Sequence, residues 1–157
     1  MNQLEAFNIR VYGLVVNDEH ELLLSYERIN NYSFTKFPGG GLQLGEGTVH
    51  CIQREFQEEL SLSIDVVKLF YVTDFFIQNQ FLPHQQVIVI YYVVKPVNKA
   101  SLTQLNLAGK QLESLNETNN ISHSWMGIES ITPSVFTFEA EQKAASLIQA
   151  EPSAILA

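Results

Sequence analysis

The sequence is short of cysteine, of basic residues and of long apolar runs. A single cysteine, Cys51, occurs in 157 residues. No internal disulfide framework can form, and a reducing, cytoplasmic setting is the expectation. Lys and Arg together number 9 against 17 Asp and Glu, a formal charge of −8. Sequence-independent binding to a nucleic acid strand needs the opposite balance, because it rests on Lys and Arg neutralising phosphates. No stretch approaches the roughly 18 consecutive apolar residues of a membrane span. Met1 to Arg10 has no basic region leading into an apolar one, so neither a membrane partner nor a secretory leader is expected. His20, His50, His84 and His123 show no ligand spacing, and with one cysteine they do not suggest zinc. Neither G-x-x-x-x-G-K-[ST] nor G-x-G-x-x-G is present, which excludes those two phosphate-binding loops.

The length suits one domain over residues 1–157, enough to bury about 70% of the surface the unfolded chain exposes. Ile9, Val11, Gly13 and Val15 alternate with Arg10, Tyr12 and Leu14, then Asn17-Asp18 signals a turn and Leu22 to Tyr26 follows as an apolar run. This predicts a hairpin. Phe34 to Phe37 form a short extended segment that Pro38 stops. The spacing predicts a helix over Thr48 to Leu60, strands over Leu62 to Ile77 and Val87 to Val97, and a short helix around Leu105 to Leu115. Ser124 to Ile131 reads as a strand and turn, and Thr132-Pro133 as the entry to a C-terminal helix carrying Ala140, Ala144 and Ile148. Strands interrupted by helices indicate an α/β domain with a mixed sheet.

Chemistry concentrates in Pro38-Gly39-Gly40-Gly41-Leu42-Gln43-Leu44-Gly45-Glu46 and the helix after it. At about 100° per residue, Glu58 falls near −60° and Glu59 near +40° of Glu55, so three carboxylates share a face. Ile52, Phe56, Val49 and Leu60 form an apolar stripe beside them. Glu-rich faces are usually just solvated. Here, however, the acids repel at i+3 and i+4 spacing and lie in the C-terminal half, where the macrodipole disfavours negative charge. Arg54 alone reaches one of them, Glu58, at i+4. Such a cluster makes sense when a cation fills it, and Mg2+ or Mn2+ suits carboxylate oxygens. The glycines bring side-chain-free backbone next to the acids, where a peptide carbonyl could add an oxygen ligand.

Gly40, five residues, Glu46, seven residues, then Arg54-Glu55-Phe56-Gln57-Glu58-Glu59-Leu60-Ser61-Leu62 resembles the Nudix box, G-x5-E-x7-R-E-U-x-E-E-x-G-U, with U apolar. Every charged position matches over Gly40 to Leu62. The resemblance implies an α/β/α sandwich with a mixed β-sheet, the Nudix fold. It also implies a hydrolase that cleaves the pyrophosphate linkage of a nucleoside diphosphate joined to another group. Glu55 and Glu59 would be the main metal ligands and Glu58 a third ligand or part of the water-activating machinery. The Gly39 carbonyl would complete the shell, Gly40 and Gly41 would shape the loop, and Arg54 with Glu46 would pin the loop to the helix. Two positions depart: Ser61 stands where the box has glycine, at a site that commonly needs left-handed backbone, and Gln43 replaces a glutamate many relatives carry. Lys36 either touches a phosphate or is a solvated strand lysine. Trp125, Tyr91 and Tyr92 either stack on a base or pack in the core, and Cys51 packs under the loop. Substrate recognition is expected from loops 28–33, 78–86 and 98–122. A homodimer stays open as the assembly, and a binding module of the same fold, without turnover, is the alternative function.

Overall fold

The computed structural model describes residues 3–107, 110–114 and 117–157. Strands β1 (Ala6–Leu14), β4 (Gly39–Gly41), β5 (Ile64–Val72) and β6 (Gln85–Pro96) form a mixed sheet in the order β4-β1-β6-β5. Within it β1 runs parallel to β6, with Val11 opposite Ile90. Strands β2 (Glu21–Ile29), β3 (Tyr32–Lys36), β7 (Lys110–Ser114) and β8 (Glu117–Gly127) form an antiparallel sheet in the order β3-β2-β8-β7.

Helix α1 (Thr48–Leu60) packs Cys51, Ile52, Phe56 and Leu60 against Val11, Val15, Leu23 and Val94. Helix α2 (Glu139–Ala150) packs Ala140, Ala144 and Ile148 against the opposite group, Tyr12, Leu14, Leu22, Leu24 and Tyr91. Successive residues of β1 and β2 therefore serve two different cores, as strands covered on both faces must. The result is the expected α/β/α layering.

The predicted hairpin is corrected in its pairing. Asn17 makes the turn, its Oδ1 accepting from the N–H groups of Glu19 and Glu21 at 3.0 and 2.9 Å. Beyond the single bridge Val16 to Leu22, however, β1 and β2 part into separate sheets. The short helix expected around Leu105 to Leu115 is also corrected. A 3-10 turn, Lys99–Gln104, comes earlier, and Lys110–Ser114 is strand β7; residues 108, 109 and 115 lie outside the described residues. Pro133 opens a 3-10 turn, Pro133–Val135, and α2 begins only at Glu139.

α1 ends as its sequence suggests. Ser61 has φ 51° and ψ 36°, its N–H closes on Gln57 O at 3.0 Å, and the N–H of Leu62 reaches Phe56 O at 3.3 Å. Serine thus occupies the left-handed conformation that glycine adopts without penalty.

Candidate active site

The loop from β4 enters α1 through Arg54. Its Nε and Nη2 donate to the two oxygens of Glu46 at 3.0 and 2.7 Å, a two-pronged pairing of fixed geometry. Nη1 donates to Glu55 at 3.0 Å and to Glu58 at 3.2 Å, and Nη2 also donates to the Gly41 carbonyl at 3.1 Å. Glu46 further accepts the Gln43 N–H at 2.9 Å. These hydrogen bonds, Arg54's first, hold the Glu46 carboxyl down at about 2. One guanidinium thus ties loop to helix and offsets part of the acid repulsion.

Glu55 and Glu59 are largely covered on the helix, with side chains 13% and 8% exposed, whereas Glu58 is 59% exposed. Burial, and then the charge of Glu59, push the Glu55 carboxyl above the usual range, against the pull of Arg54. Glu59 Oε2 has no hydrogen-bond partner among the described residues. The glycines are required here: Gly39 has φ 141°, and a Cβ at that position would strike the Val11 carbonyl, while one at Gly40 would strike the Glu55 carboxylate. Among the described residues no three His, Cys, Asp or Glu side chains already form a closed metal cage. Two largely buried carboxylates beside a bare peptide loop nevertheless suit Mg2+ or Mn2+. Mg2+ is commonly held by one or two carboxylates plus water and substrate phosphates.

Lys36 is not a solvated strand lysine. It is 2% exposed, donates to the Gly39 carbonyl at 2.9 Å and pairs with Glu27 at 3.1 Å, and it lies over the Tyr12 ring at 5.2 Å. Burial works against its charge, but Glu59, Tyr12 and Glu27 together outweigh that and raise its pKa. Cys51 is fully buried with Sγ 3.5 Å from the Gly41 carbonyl, and burial pushes its thiol up to about 12, which leaves it unreactive.

A cavity of about 600 Å3 opens beside the site. Its aromatic wall is Phe34, Phe81 and Phe138, with ring centroids 5.2 to 6.2 Å apart. Arg10 lines it too, with Nε donating to the Tyr12 hydroxyl at 2.7 Å, and Arg10 is also the register partner of Gly41. Of the expected recognition loops, residues 78–82 and Ile29 contribute, and among the described residues none of 98–122 does. Tyr91 is core, the Tyr92 and Thr48 hydroxyls are hydrogen-bonded at 2.7 Å, and Trp125 packs with the α1 core.

Sequence reasoning missed Arg10, Phe81, Phe138, Glu141 and His123. Glu141, from α2, is 2% exposed in the cavity wall, and burial pushes its carboxyl up to about 7. His123, on β8, is 5% exposed with Nε2 3.7 Å from Glu59 Oε2. No spacing in the sequence connects either to the box. Only strand register and helix docking bring them near.

The NUDIX domain family model matches residues 6–148. No curated protein matches the sequence significantly. Among solved structures, a NUDIX hydrolase from Nitrosomonas europaea is similar at TM-score 0.66 and 16% identity over 92% of this chain and 89% of that one. A MutT protein from Methanosarcina mazei Go1 is similar at TM-score 0.63 and 19% identity over 96% and 94%. An ADP-ribose pyrophosphatase from Streptococcus suis is similar at TM-score 0.52 and 15% identity over 92% of each chain. These identities speak to the fold. With the family model spanning nearly the whole chain and the box residues assembled around Arg54, the chain belongs to the NUDIX domain family and is a pyrophosphohydrolase.

Proposed function

We propose that this enzyme cleaves the pyrophosphate linkage of a nucleoside diphosphate joined to another group, with Mg2+ or Mn2+ as cofactor. The observation that carries the reading is the pair of largely buried carboxylates Glu55 and Glu59 on one face of α1, with Glu55 against the side-chain-free backbone of Gly40. Glu55 and Glu59 would hold the cation; the Gly39 carbonyl would join them only by giving up the Lys36 ammonium, which donates to it at 2.9 Å. When bound, it supplies charge neutralisation for the diphosphate and acidifies a water. Glu58, well exposed on the same helix, joins the ligands or accepts a proton from the attacking water.

Arg54 and Glu46 act by holding: together they fix the loop whose Gly41 carbonyl Arg54 also grips. Arg10 lines the cavity and its charge acts on Glu55, so it would meet the diphosphate. The aromatic wall of Phe34, Phe81 and Phe138 takes the ring end of the nucleoside, where stacking tolerates any base.

The test is a panel of nucleoside triphosphates and nucleoside diphosphate derivatives, each with Mg2+ and with Mn2+, read by release of a phosphate-bearing fragment. The proposal expects cleavage of at least one diphosphate derivative. Tight nucleotide binding without product in either metal would overturn it in favour of a binding module.

A further inference from the structure

A row of buried polar residues lies against Glu59 of α1, and two of them, Ser25 and His123, have no part in the proposed reaction. In the β3-β2-β8 ladder Lys36 is the partner of Ser25, and Ser25 the partner of His123, so the three stand in a row on one face of the antiparallel sheet. They are 2%, 0% and 5% exposed. Glu59 meets this row, its Oε2 3.7 Å from His123 Nε2 and its charge acting on Lys36. At that distance the imidazole and carboxylate are not hydrogen-bonded. Among the described residues Glu59 Oε2, His123 Nε2 and Ser25 Oγ all lack a partner. The Lys36 ammonium donates to Glu27 and the Gly39 carbonyl, and none of its three N–H groups bonds Glu59 Oε2. Buried donors and acceptors are rarely left unpaired. Three of them grouped from α1, β2 and β8 mark a contact that a small movement of Glu59 completes.

We propose that His123 is a positioning residue for Glu59: its Nε2–H takes Oε2 when Oε1 engages the cation, with the Ser25 hydroxyl beside it. The inference rests on the reading of Glu59 as a metal ligand. A ligating carboxylate has two oxygens, and fixing one decides where the other points. Loss of such an outer partner typically weakens metal binding about 10- to 100-fold. The neutral imidazole with its proton on Nε2 suffices as donor. The same cradle explains how a carboxylate is tolerated in the last turn of α1, where the helix dipole opposes it.

The test is Mn2+ affinity of the full chain without substrate, read from the electron paramagnetic signal of free Mn2+. His123→Leu should weaken binding about 10-fold or more. His123→Gln places an N–H near the Nε2 position and should stay within about threefold of wild type, whereas His123→Asn reaches only the Nδ1 position and should behave like the Leu variant. The Asn variant carries the test if the Leu variant does not fold. With diamagnetic Mg2+ bound, nitrogen–proton correlation spectra should show the His123 proton on Nε2. Wild-type affinity in the Leu or Asn variant, equal losses in Gln and Leu, or a proton on Nδ1 alone would overturn the proposal. Glu59→Gln separates the two readings. If it leaves Mn2+ binding unchanged, the ligand assignment itself fails; if it weakens binding while the His123 variants do not, only the positioning role fails.

Discussion

Glu141 makes the stability of this protein depend on pH in a calculable way. Burial in the α2 core raises its carboxyl from 4.5 to about 7, against the pull of its own backbone N–H, Lys36 and Arg10. Because the folded pKa lies above the unfolded one, the folded chain holds the proton more tightly. The contribution is therefore fully present below about pH 4.5 and is lost as pH rises through 7. At about 1.4 kcal/mol per pH unit, the interval between those values amounts to on the order of 3 kcal/mol. Glu141→Gln keeps the shape and removes the charge. It should match wild type below about pH 4.5 and exceed it by up to roughly 3 kcal/mol above pH 8, a Tm gain on the order of 5–10 °C for a domain of this size. Urea unfolding of both proteins across pH 4 to 9 measures the gap directly. Parallel stability curves, offset by a constant amount, would refute the reasoning, since they would mean the carboxyl does not titrate differently on folding.

Ser61, at φ 51°, should gain up to about 1 kcal/mol on replacement by glycine, read as a higher urea midpoint at unchanged slope, with turnover nearly unaffected. Gly40→Ala drives a methyl into the Glu55 carboxylate, the mobile end of that side chain; the metal-free Tm should change little while the Mg2+-induced rise in Tm shrinks, both visible in one thermal-shift series. Glu46, held down at about 2 chiefly by Arg54, adds stability above about pH 4.5 that is lost as pH falls through 2, and Glu46→Gln should flatten that acid limb of the unfolding curve.

The helix and its loop were legible because their signals are local. The shared face of the carboxylates and the reach of Arg54 to Glu58 follow from short spacing, whereas the Arg54–Glu46 pair and the left-handed backbone at Ser61 are implied by the resemblance to the box; the structure places Arg54 on Glu46, Glu55 and Glu58. The hairpin failed for the opposite reason. Val11, Tyr12, Leu14 and Val15 are buried on both faces, the mark of a central strand, and β1 takes its parallel partner β6 from more than seventy residues away. Loop closure at Asn17 says nothing about that pairing. Lys36 was misread because its burial depends on Glu27 across the β2-β3 register, and no lysine in a short strand announces a partner there. His123 and Glu141 stayed silent for the same physical reason: each reaches its neighbours through sheet register or helix docking, not through spacing in the chain.

The account stands or falls on whether Glu55 and Glu59 hold a cation that the reaction needs. The direct measurement is product release from the best diphosphate substrate of the panel, by wild type, Glu55→Gln and Glu59→Gln, each titrated with Mg2+ and then with chelator. The account predicts that wild-type activity rises with Mg2+ and disappears on chelation, and that each variant stays folded by circular dichroism. Each variant should lose turnover by on the order of 100-fold or more and need more Mg2+ for what remains. Chelator-insensitive cleavage, or variants with wild-type turnover at wild-type Mg2+, would contradict it.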